Sequence, residues 1–263
     1  GTPMSGTKTA ELYRMVMEDH LCPYGLKSKH LLETQGFQVE DHHLKNHEET
    51  EAFKHKHNVE TTPQTFLGGD RIGGYDDLLV YFRKEPKDKN EQTYWPVIAL
   101  FSMTFLMATG SASVVEGQWL SLRTFEWFIA FSMCGLAYLK IRDVESFSTM
   151  FLNYDLLAQK WVPYGYVYPY GEGLAGLLMI AGVLPFVSIP IAFFIGIVGA
   201  VSVFKAVYID KRELKCACVG GESNVPLGFI SLTENLMMLG MAIWMLLKAS
   251  FFHTLLPRAI HQP

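Results

Sequence analysis

Cysteine is scarce in this sequence, with four in 263 residues. Extracellular domains that depend on disulfides carry cysteine at higher density, so this count excludes a disulfide framework and favours a catalytic, redox or metal-binding use. The sequence also lacks a block of Lys and Arg, and its formal net charge is −4. Because clustered positive charge is typical of proteins that bind nucleic acid, we expect no nucleic acid partner.

Charged residues become sparse in the second part of the chain. Residues 1–94 hold seven of the nine His and most of the charge, whereas residues 95–263 are mostly apolar. This contrast predicts a soluble domain followed by a membrane domain. No cleavable signal peptide is visible, so we expect the soluble domain to stay in the cytoplasm. The predicted domains are residues 8–86 and 95–255, joined by a charged linker over 87–94.

The N-terminal domain shows the pattern of a compact α/β fold. Pro23 lies in the first turn of a predicted helix, where its missing N–H costs nothing, and Gly36 ends that helix. Gly68-Gly69-Asp70 predicts the turn of a β-hairpin. The predicted elements are strands over 12–17, 37–42, 65–67 and 71–72 and helices over 23–35, 47–57 and 75–84. The predicted order is therefore βαβαββα.

Three short motifs follow one another in this domain. They are Cys22-Pro23-Tyr24-Gly25, Thr61-Thr62-Pro63-Gln64 and Gly73-Gly74-Tyr75-Asp76-Asp77. The first resembles the Cys-Pro-Tyr-Cys motif of glutaredoxins, the second their Thr-Val-Pro loop and the third their Gly-Gly-x-Asp-Asp/Glu stretch. The domain is therefore similar to the glutaredoxin family, which implies an α/β thioredoxin-like fold and glutathione as the cofactor.

Cys22 is the candidate reactive thiol of this domain. It begins a predicted helix, where backbone N–H groups and the helix dipole stabilise a thiolate, the form that attacks disulfides. The resemblance implies that Pro63 is cis, so that the backbone of Thr62 faces Cys22 and pairs with glutathione. The other residues implied to bind glutathione are Tyr24, Tyr75 and Asp76.

Two departures from the glutaredoxin pattern bear on the mechanism. Gly25 stands in place of the second cysteine, so no disulfide can form within the motif. A monothiol mechanism through a mixed disulfide with glutathione is therefore expected. The Lys that usually precedes the cysteine is also missing, and Glu18-Asp19-His20 stands there. The two acids are expected to weaken thiolate stabilisation, with His20 as a partial compensation.

The second part of the chain contains five apolar runs close to the roughly 20 residues that a helix needs to cross a bilayer. They are predicted over 96–115, 124–141, 170–188, 190–209 and 227–248, with Ser188-Ile189-Pro190 as a tight link. Residues 143–168 are too charged to cross, and their apolar spacing predicts an amphipathic helix on the interface or the bundle.

The distribution of positive charge predicts the orientation of these helices. Lys and Arg concentrate in the loops that lie on the same side as the N-terminal domain. Because such loops face the cytoplasm, we expect an integral protein of the bacterial inner membrane. Its N-terminal domain is expected in the cytoplasm and its C-terminus outside, and the lipid bilayer is therefore one of its partners.

The membrane part resembles a second family. The matching residues are Gly135, Leu139-Lys140, Asp143, Tyr168-Pro169, Gly171-Glu172 and Cys216-Ala217-Cys218-Val219-Gly220. This series is similar to the MauE/DoxX-like family of four membrane helices, and the Cys-x-Cys-x-Gly element is its most specific part. The first apolar run is then an extra helix that links the two domains. The resemblance implies disulfide handling, as in methylamine utilisation, and leaves the substrate open.

Cys216 and Cys218 lie one residue apart, which leaves three uses open. A disulfide between them closes a small ring that is easily reduced, which suits a transfer site. Two neighbouring thiolates also suit one soft metal ion such as Cu(I) or Hg(II), with Cys134 as a third thiol. The remaining option is inert thiols, and Cys134 by itself is typical packing material for a membrane helix.

Glu172 and Glu234 fall in or beside apolar runs. Ionisable groups in a bilayer are costly and usually face the interior of the bundle, so these two are the candidates for a polar site near the thiols. The alternative is that each carboxylate is satisfied by a helix N-terminus or by an interfacial Lys.

These features predict a membrane-bound thiol–disulfide oxidoreductase linked to glutathione. In this hypothesis glutathione delivers electrons to Cys22, which exchanges with Cys216 and Cys218 on the cytoplasmic side, and an unidentified thiol or disulfide substrate follows. No tightly bound metal is expected. The alternative is a soft-metal binding or transport protein, in which the pair holds Cu(I) or Hg(II) and the glutaredoxin part delivers it. A third hypothesis is a glutaredoxin tethered by an inert anchor.

Overall fold

The computed structural model describes residues 8–84, 91–221 and 223–259, with side chains described as far as Phe251. The chain divides into two compact units, Gly1–Lys89 and Asn90–Pro263. The first half of the predicted linker, residues 87–90, lies outside the described residues.

The first unit alternates strands and helices in the predicted order. Its elements are β1 (Lys8–Met15), α1 (Pro23–Thr34), β2 (Phe37–Leu44), α2 (His47–His57), β3 (Gln64–Leu67), β4 (Asp70–Gly73) and α3 (Tyr75–Tyr81). The Asn46 side chain caps α2 by accepting a hydrogen bond from the Glu49 N–H. Gly68 and Gly69 have positive φ angles in the turn between β3 and β4, where glycine is favoured.

The four strands form one mixed sheet in the order β2-β1-β3-β4. β1 pairs with β2 in parallel, with Lys8 opposite Phe37, and β3 pairs antiparallel with both β1 and β4. The buried core of this unit consists of Ala10, Leu12, Leu31, Leu32, Leu67 and Leu78. The arrangement fits a thioredoxin-like fold, which confirms the predicted fold class. It also brings the end of β1 next to the start of α1, where Cys22 lies.

The second unit is helical in the part that the structure describes. Its elements are α4 (Trp95–Glu116), α5 (Leu122–Ile141), α6 (Val144–Phe151), α7 (Leu156–Lys160), α8 (Pro163–Ala181), α9 (Pro185–Phe204) and α10 (Phe229–Ala259), and a π-helical turn (Lys205–Ile209) extends α9. The predicted single amphipathic helix over 143–168 is instead divided among α6, α7 and the start of α8. The reason is that Asp143 and Asp155 each cap a new helix with their side chains.

The third and fourth apolar runs meet at a different place from the predicted one. Gly182 and Leu184 have positive φ angles of 67° and 50°, and Pro185 begins α9. Pro190 lies inside α9, so the predicted link over Ser188–Pro190 is wrong. A proline in the first turn of a helix loses no hydrogen bond, and glycine readily adopts the left-handed conformation that ends one, so the chain turns between Gly182 and Pro185.

Three of the described helices are long and apolar enough to cross a membrane: Trp95–Glu116, Pro185–Ile209 and Phe229–Phe251. α5 and α8 have 20 and 19 residues but are not among these three. Each of them contains a buried charged residue, Lys140 in α5 and Glu172 in α8. The described part of the chain therefore has three candidate spans, compared with the five apolar runs read from the sequence.

Glycine allows two pairs of helices in this unit to approach closely. A Cβ added at Gly176 of α8 would lie 2.9 Å from the Ala130 carbonyl oxygen of α5 and 3.1 Å from the Met133 Cβ. A Cβ added at Gly196 of α9 would lie 2.9 Å from the backbone nitrogen of Leu239 in α10. Small residues at such crossings let backbones touch, and they fix the distance between the helices.

Gly176→Ala should lower the thermal stability of the protein in detergent, because the added methyl group forces α5 and α8 apart. We expect a cost of about 1–3 kcal/mol, the usual range for overpacking. The matched control is Gly240→Ala in α10, where an added Cβ would meet no atom within 4 Å. Thermal unfolding followed by circular dichroism provides the measurement, and equal melting temperatures for the two variants would contradict the close crossing.

Candidate functional site

Cys22 lies at the N-cap of α1, directly before Pro23. Its backbone N–H donates to the Met15 carbonyl at the end of β1, at 3.5 Å, and the residue is 8% exposed. The thiol is thus held at a helix start, where unpaired backbone N–H groups and the helix dipole favour an anion.

The segments implied to bind glutathione lie side by side. The Thr62–Pro63 peptide bond is cis, as the resemblance implied. Gly74 packs beside this loop, since a Cβ added there would be 3.6 Å from the Pro63 carbonyl oxygen. The rings of Tyr24 in α1 and Tyr75 in α3 have centroids 6.4 Å apart. Asp76 is exposed in the first turn of α3. The cis-proline loop and the starts of α1 and α3 therefore surround one open edge of the domain.

A cation that the sequence analysis missed lies near Cys22. Arg14 of β1 is 5% exposed, and its guanidinium donates to both carboxylate oxygens of Asp41 at 2.7 Å. The hydrogen bond to Asp41 raises the pKa of Arg14 against the opposing effect of burial, and the charges of Asp41 and the nearby Cys22 site raise it further. Burial also acts to raise the pKa of Asp41, but hydrogen bonds from Arg14 and His43 outweigh it and hold that pKa well below its usual range.

Arg14 also accounts for the glycine in the thiol motif. A Cβ added at Gly25 would lie 2.8 Å from the Arg14 Cβ and 3.1 Å from its Cδ, so the arginine fills the space that a larger residue would need. The Arg14 Nη1 atom is buried and has no hydrogen-bond partner among the described residues, which leaves donors free for an anion. The sequence did carry a signal, because Arg14 shares the buried face of β1 with Ala10 and Leu12.

Gly25→Ala should destabilise the first unit by about 1–3 kcal/mol, because the added methyl group displaces Arg14 and disturbs its ion pair with Asp41. Gly74→Ala is the matched control, since its added Cβ makes only an ordinary contact at 3.6 Å. Hydrogen exchange of the α1 and β1 amides in the full-length protein, read by mass spectrometry, measures the difference. Equal protection in the two variants would show that Arg14 does not hold this space.

Cys216 and Cys218 are joined by a disulfide bond. They lie in a segment between α9 and α10 that we call the disulfide loop (residues 214–227, of which 222 is not described). The loop folds back on itself, because the Cys216 N–H donates to the Val225 carbonyl at 2.7 Å and the Leu227 N–H donates to the Leu214 carbonyl at 2.8 Å. Cys216 is 1% exposed and Cys218 is 7% exposed. The pair is therefore enclosed.

The hydrogen bonds around the disulfide favour one of its two sulfurs. The Ser231 hydroxyl donates to Cys216 Sγ at 3.0 Å, and the Cys218 backbone N–H contacts the same sulfur at 3.1 Å. Between the cysteines, the Ala217 N–H donates to the Tyr154 hydroxyl oxygen at 3.3 Å. Burial raises the pKa of Tyr154, so this phenol is neutral at physiological pH.

A buried ionic cluster lies beside the disulfide. Lys140 Nζ of α5 is 2.7 Å from Glu172 Oε2 of α8 and 3.9 Å from Glu234 Oε1 of α10. All three residues are at most 8% exposed. The ammonium also lies 5.2 Å from the ring centroid of Tyr168 and 5.9 Å from that of Phe147, within the range of cation–π contacts. Three helices thus converge on a single cation.

One small cavity joins the cluster to the disulfide. Its volume is about 20 Å³, which is enough for about one water molecule. The groups that line it include Lys140, Tyr154, Cys216, Cys218, Ser231 and Glu234. The sequence indicated the two glutamates and included Lys140 in the family resemblance, but it gave no reason to pair Lys140 with them or to single out Ser231.

Cys134 is placed apart from this cavity. It is half-buried in α5, and its Sγ lies 4.0 Å from the Gly173 carbonyl oxygen of α8. It is not among the residues that line the cavity. The structure therefore does not bring Cys134 to the disulfide. Instead, the Cys134 side chain packs at the crossing of α5 and α8.

The fold and the two thiol sites define a membrane-associated thiol–disulfide redox protein. In comparisons with known proteins, residues 11–72 match the glutaredoxin family, and residues 118–248 match the family described as methylamine utilisation protein MauE. No curated protein matches the chain. The chain is thus a fusion of a glutaredoxin domain with a MauE domain, which confirms the resemblance read from the sequence. α4 ends before the matched MauE region begins.

Lys140→Met should strongly destabilise the second unit, because Glu172 would remain buried without its cation. Removing one partner of a buried pair typically costs about 3–5 kcal/mol, whereas replacing both with apolar groups is often tolerated. The double variant Lys140→Met/Glu172→Leu should therefore recover much of the loss. Lys160→Met, at an exposed site, is the control. Melting temperatures in detergent test this, and a Lys140→Met protein as stable as the control would contradict a structural role for the cluster.

Proposed function

We propose that the protein transfers electrons from glutathione, through Cys22, to the Cys216–Cys218 disulfide. The observation that carries the proposal is that the disulfide shares one cavity with Lys140 and Glu234. Reduction of a disulfide to two thiols consumes two protons, and ionisable groups inside a membrane domain can hold and supply them. The match to the glutaredoxin family supports glutathione as the source of electrons.

The proposed reaction consists of three exchanges, and each forms one S–S bond and breaks one. The Cys22 thiolate first attacks the pair, which forms a mixed disulfide and releases one cysteine of the pair as a thiolate. A glutathione thiolate then attacks Cys22 and releases the second cysteine. A second glutathione attacks the Cys22–glutathione disulfide and restores the Cys22 thiolate. Two glutathiones become one glutathione disulfide, and the pair gains two electrons and two protons.

This sequence of exchanges needs a single thiol in the glutaredoxin motif. With glycine at position 25, no neighbouring thiol can release Cys22 from a mixed disulfide, so glutathione must do so. Because Cys216 and Cys218 are almost fully enclosed, the exchange also requires the disulfide loop to open. The reduced pair would then pass its electrons to a disulfide substrate whose identity the chain does not specify.

The charge distribution supports a cytoplasmic site for this exchange. The Lys and Arg residues on the disulfide-loop side of the helical unit are Lys140, which is buried, and Arg142, Lys160, Lys211, Arg212 and Lys215. Arg123 lies at the opposite end of α5, and Lys248 lies near the far end of the candidate span Phe229–Phe251 in α10. The excess on the first side favours a disulfide loop and an N-terminal domain that face the cytoplasm of a bacterial inner membrane.

The test uses full-length protein in detergent, equilibrated with reduced or oxidised glutathione, with all four thiols mapped by alkylation and mass spectrometry. We expect a Cys22–glutathione adduct in the unmodified protein. We also expect glutathione to reduce the Cys216–Cys218 disulfide at least about tenfold more slowly in Cys22→Ser than in the unmodified protein. Cys134→Ser is the matched control and should behave like the unmodified protein.

Two outcomes would contradict the proposal. Equal rates of pair reduction in Cys22→Ser and Cys134→Ser would show that Cys22 does not feed the pair. A pair that stays reduced in oxidised glutathione and retains Cu(I) or Hg(II) would favour the soft-metal hypothesis. Within the described residues, no group of three or more His, Cys, Asp or Glu is arranged to hold a metal ion.

A further inference from the structure

We infer that the two cysteines of the pair have different roles: Cys218 is the sulfur that is attacked, and Cys216 is the thiolate that leaves, stabilised by Ser231. This inference rests on the proposed function, since it assigns an order to the first exchange. It also adds Ser231 to the site as a positioning residue.

The first argument is the solvation of the leaving group. Cys216 Sγ is within hydrogen-bond distance of the Ser231 hydroxyl, at 3.0 Å, and of the Cys218 backbone N–H, at 3.1 Å. Hydrogen bonds from neutral donors become stronger when the acceptor is an anion, so both contacts favour a thiolate on Cys216. No hydrogen bond from the described residues to Cys218 Sγ is seen. A leaving thiol that is better stabilised as an anion departs faster.

The second argument is the position of Ser231 in α10. The helix begins at Phe229, so Ser231 lies in its first turn, where the backbone dipole favours negative charge. Ser231 is 2% exposed, and Glu234 and Asn235 follow it at helical spacing on the same face and line the same cavity. The N-terminus of α10 and the Ser231 hydroxyl therefore both favour negative charge on the sulfur of Cys216.

The third argument is access. Cys216 is 1% exposed and is fixed in the disulfide loop by the hydrogen bond from its N–H to the Val225 carbonyl at 2.7 Å. Cys218 is 7% exposed and lies next to Val219 and Gly220, where the loop turns with a φ of 102° at Gly220. An incoming thiolate reaches Cys218 by displacing less of the loop than it would need to displace for Cys216.

The first exchange needs a place for the electron pair of the broken S–S bond and a proton for the leaving thiolate, and groups around this cavity can provide both. The incoming thiolate forms a bond to Cys218 Sγ, the Cys216–Cys218 bond breaks, and its electron pair stays on Cys216. The ionic cluster contains one cation, Lys140, and two carboxyl groups, Glu172 and Glu234. The cluster is electrically neutral when one of the two carboxyl groups is protonated, and burial favours that neutral state. That proton is available to the Cys216 thiolate through the cavity that joins Lys140 and Glu234 to the sulfur.

The first experiment compares Cys216→Ser with Cys218→Ser in the full-length protein in detergent, with oxidised glutathione as the probe. Thiol–disulfide exchange is reversible. The sulfur that a thiolate attacks when the pair is reduced is therefore also the sulfur that carries the mixed disulfide when oxidised glutathione reoxidises the pair. The reaction is run at alkaline pH, where the remaining thiol is ionised in both variants and only access and nucleophilicity differ. We expect the Cys218–glutathione adduct in Cys216→Ser to form about tenfold faster than the Cys216–glutathione adduct in Cys218→Ser, because a hydrogen-bonded thiolate is the weaker nucleophile. The Cys22–glutathione adduct, which forms in both variants, reports that the protein is folded and reactive.

The outcomes separate this inference from the proposed function. Formation of the Cys22 adduct with neither glutathione nor Cys22 joined to the remaining cysteine of the pair would contradict the proposed function. Adducts on both cysteines at equal rates, or a faster adduct on Cys216, would overturn the assignment of roles and leave the proposed function intact.

Ser231 provides a second test through the rate at which glutathione reduces the intact pair. Ser231→Ala should slow this reduction about tenfold, because the leaving thiolate loses a hydrogen bond, and Ser231→Thr, which keeps the hydroxyl, should restore it. In a Cys216→Ser background the leaving group is glutathione itself, so Ser231→Ala should leave the rate of adduct formation on Cys218 unchanged. Equal slowing in both backgrounds would indicate a merely structural role for Ser231.

Discussion

The buried ammonium of Lys140 is the constraint on which the helical unit depends. An unpaired ion in a low-dielectric interior costs several kcal/mol, so this residue must be matched. Its partners are Glu172 at 2.7 Å and Glu234 at 3.9 Å, on α8 and α10. The ion pairs of Lys140 therefore hold α5, α8 and α10 together at one level of the helical unit. The disulfide loop closes at this point, since a Cβ added at Gly220 would lie 3.0 Å from the Leu139 carbonyl oxygen.

The two thiol sites use the same physical arrangement in unrelated folds. Near Cys22, the buried cation is Arg14, fixed by the Asp41 carboxylate at 2.7 Å. Near the Cys216–Cys218 disulfide, the cation is Lys140, fixed by Glu172. In each case a carboxylate offsets the cost of burying a cation in the neighbourhood of a thiol site.

α5 and α8 differ from α4, α9 and α10 in that neither is among the three candidate spans. Their charged residues face each other across a crossing that Gly176 keeps short. A bundle in which every helix was uniformly apolar would contain no group able to hold a proton beside the disulfide. Lys140 of α5 thereby reaches the cavity that the disulfide also lines.

The order of elements in the glutaredoxin domain follows from the sequence alone, because turns and caps such as Gly68-Gly69 and Asn46 act locally. Both thiol motifs are also evident in the sequence, since their residues are adjacent in the chain. The distant residues that meet these thiols became known only from the folded structure. Arg14 is eleven residues from Gly25, and Lys140 is separated from Glu172 by 32 residues and from the disulfide by more. Local periodicity shows that a residue is buried, but a buried charge acquires its partner only when helices and strands from different parts of the chain pack together.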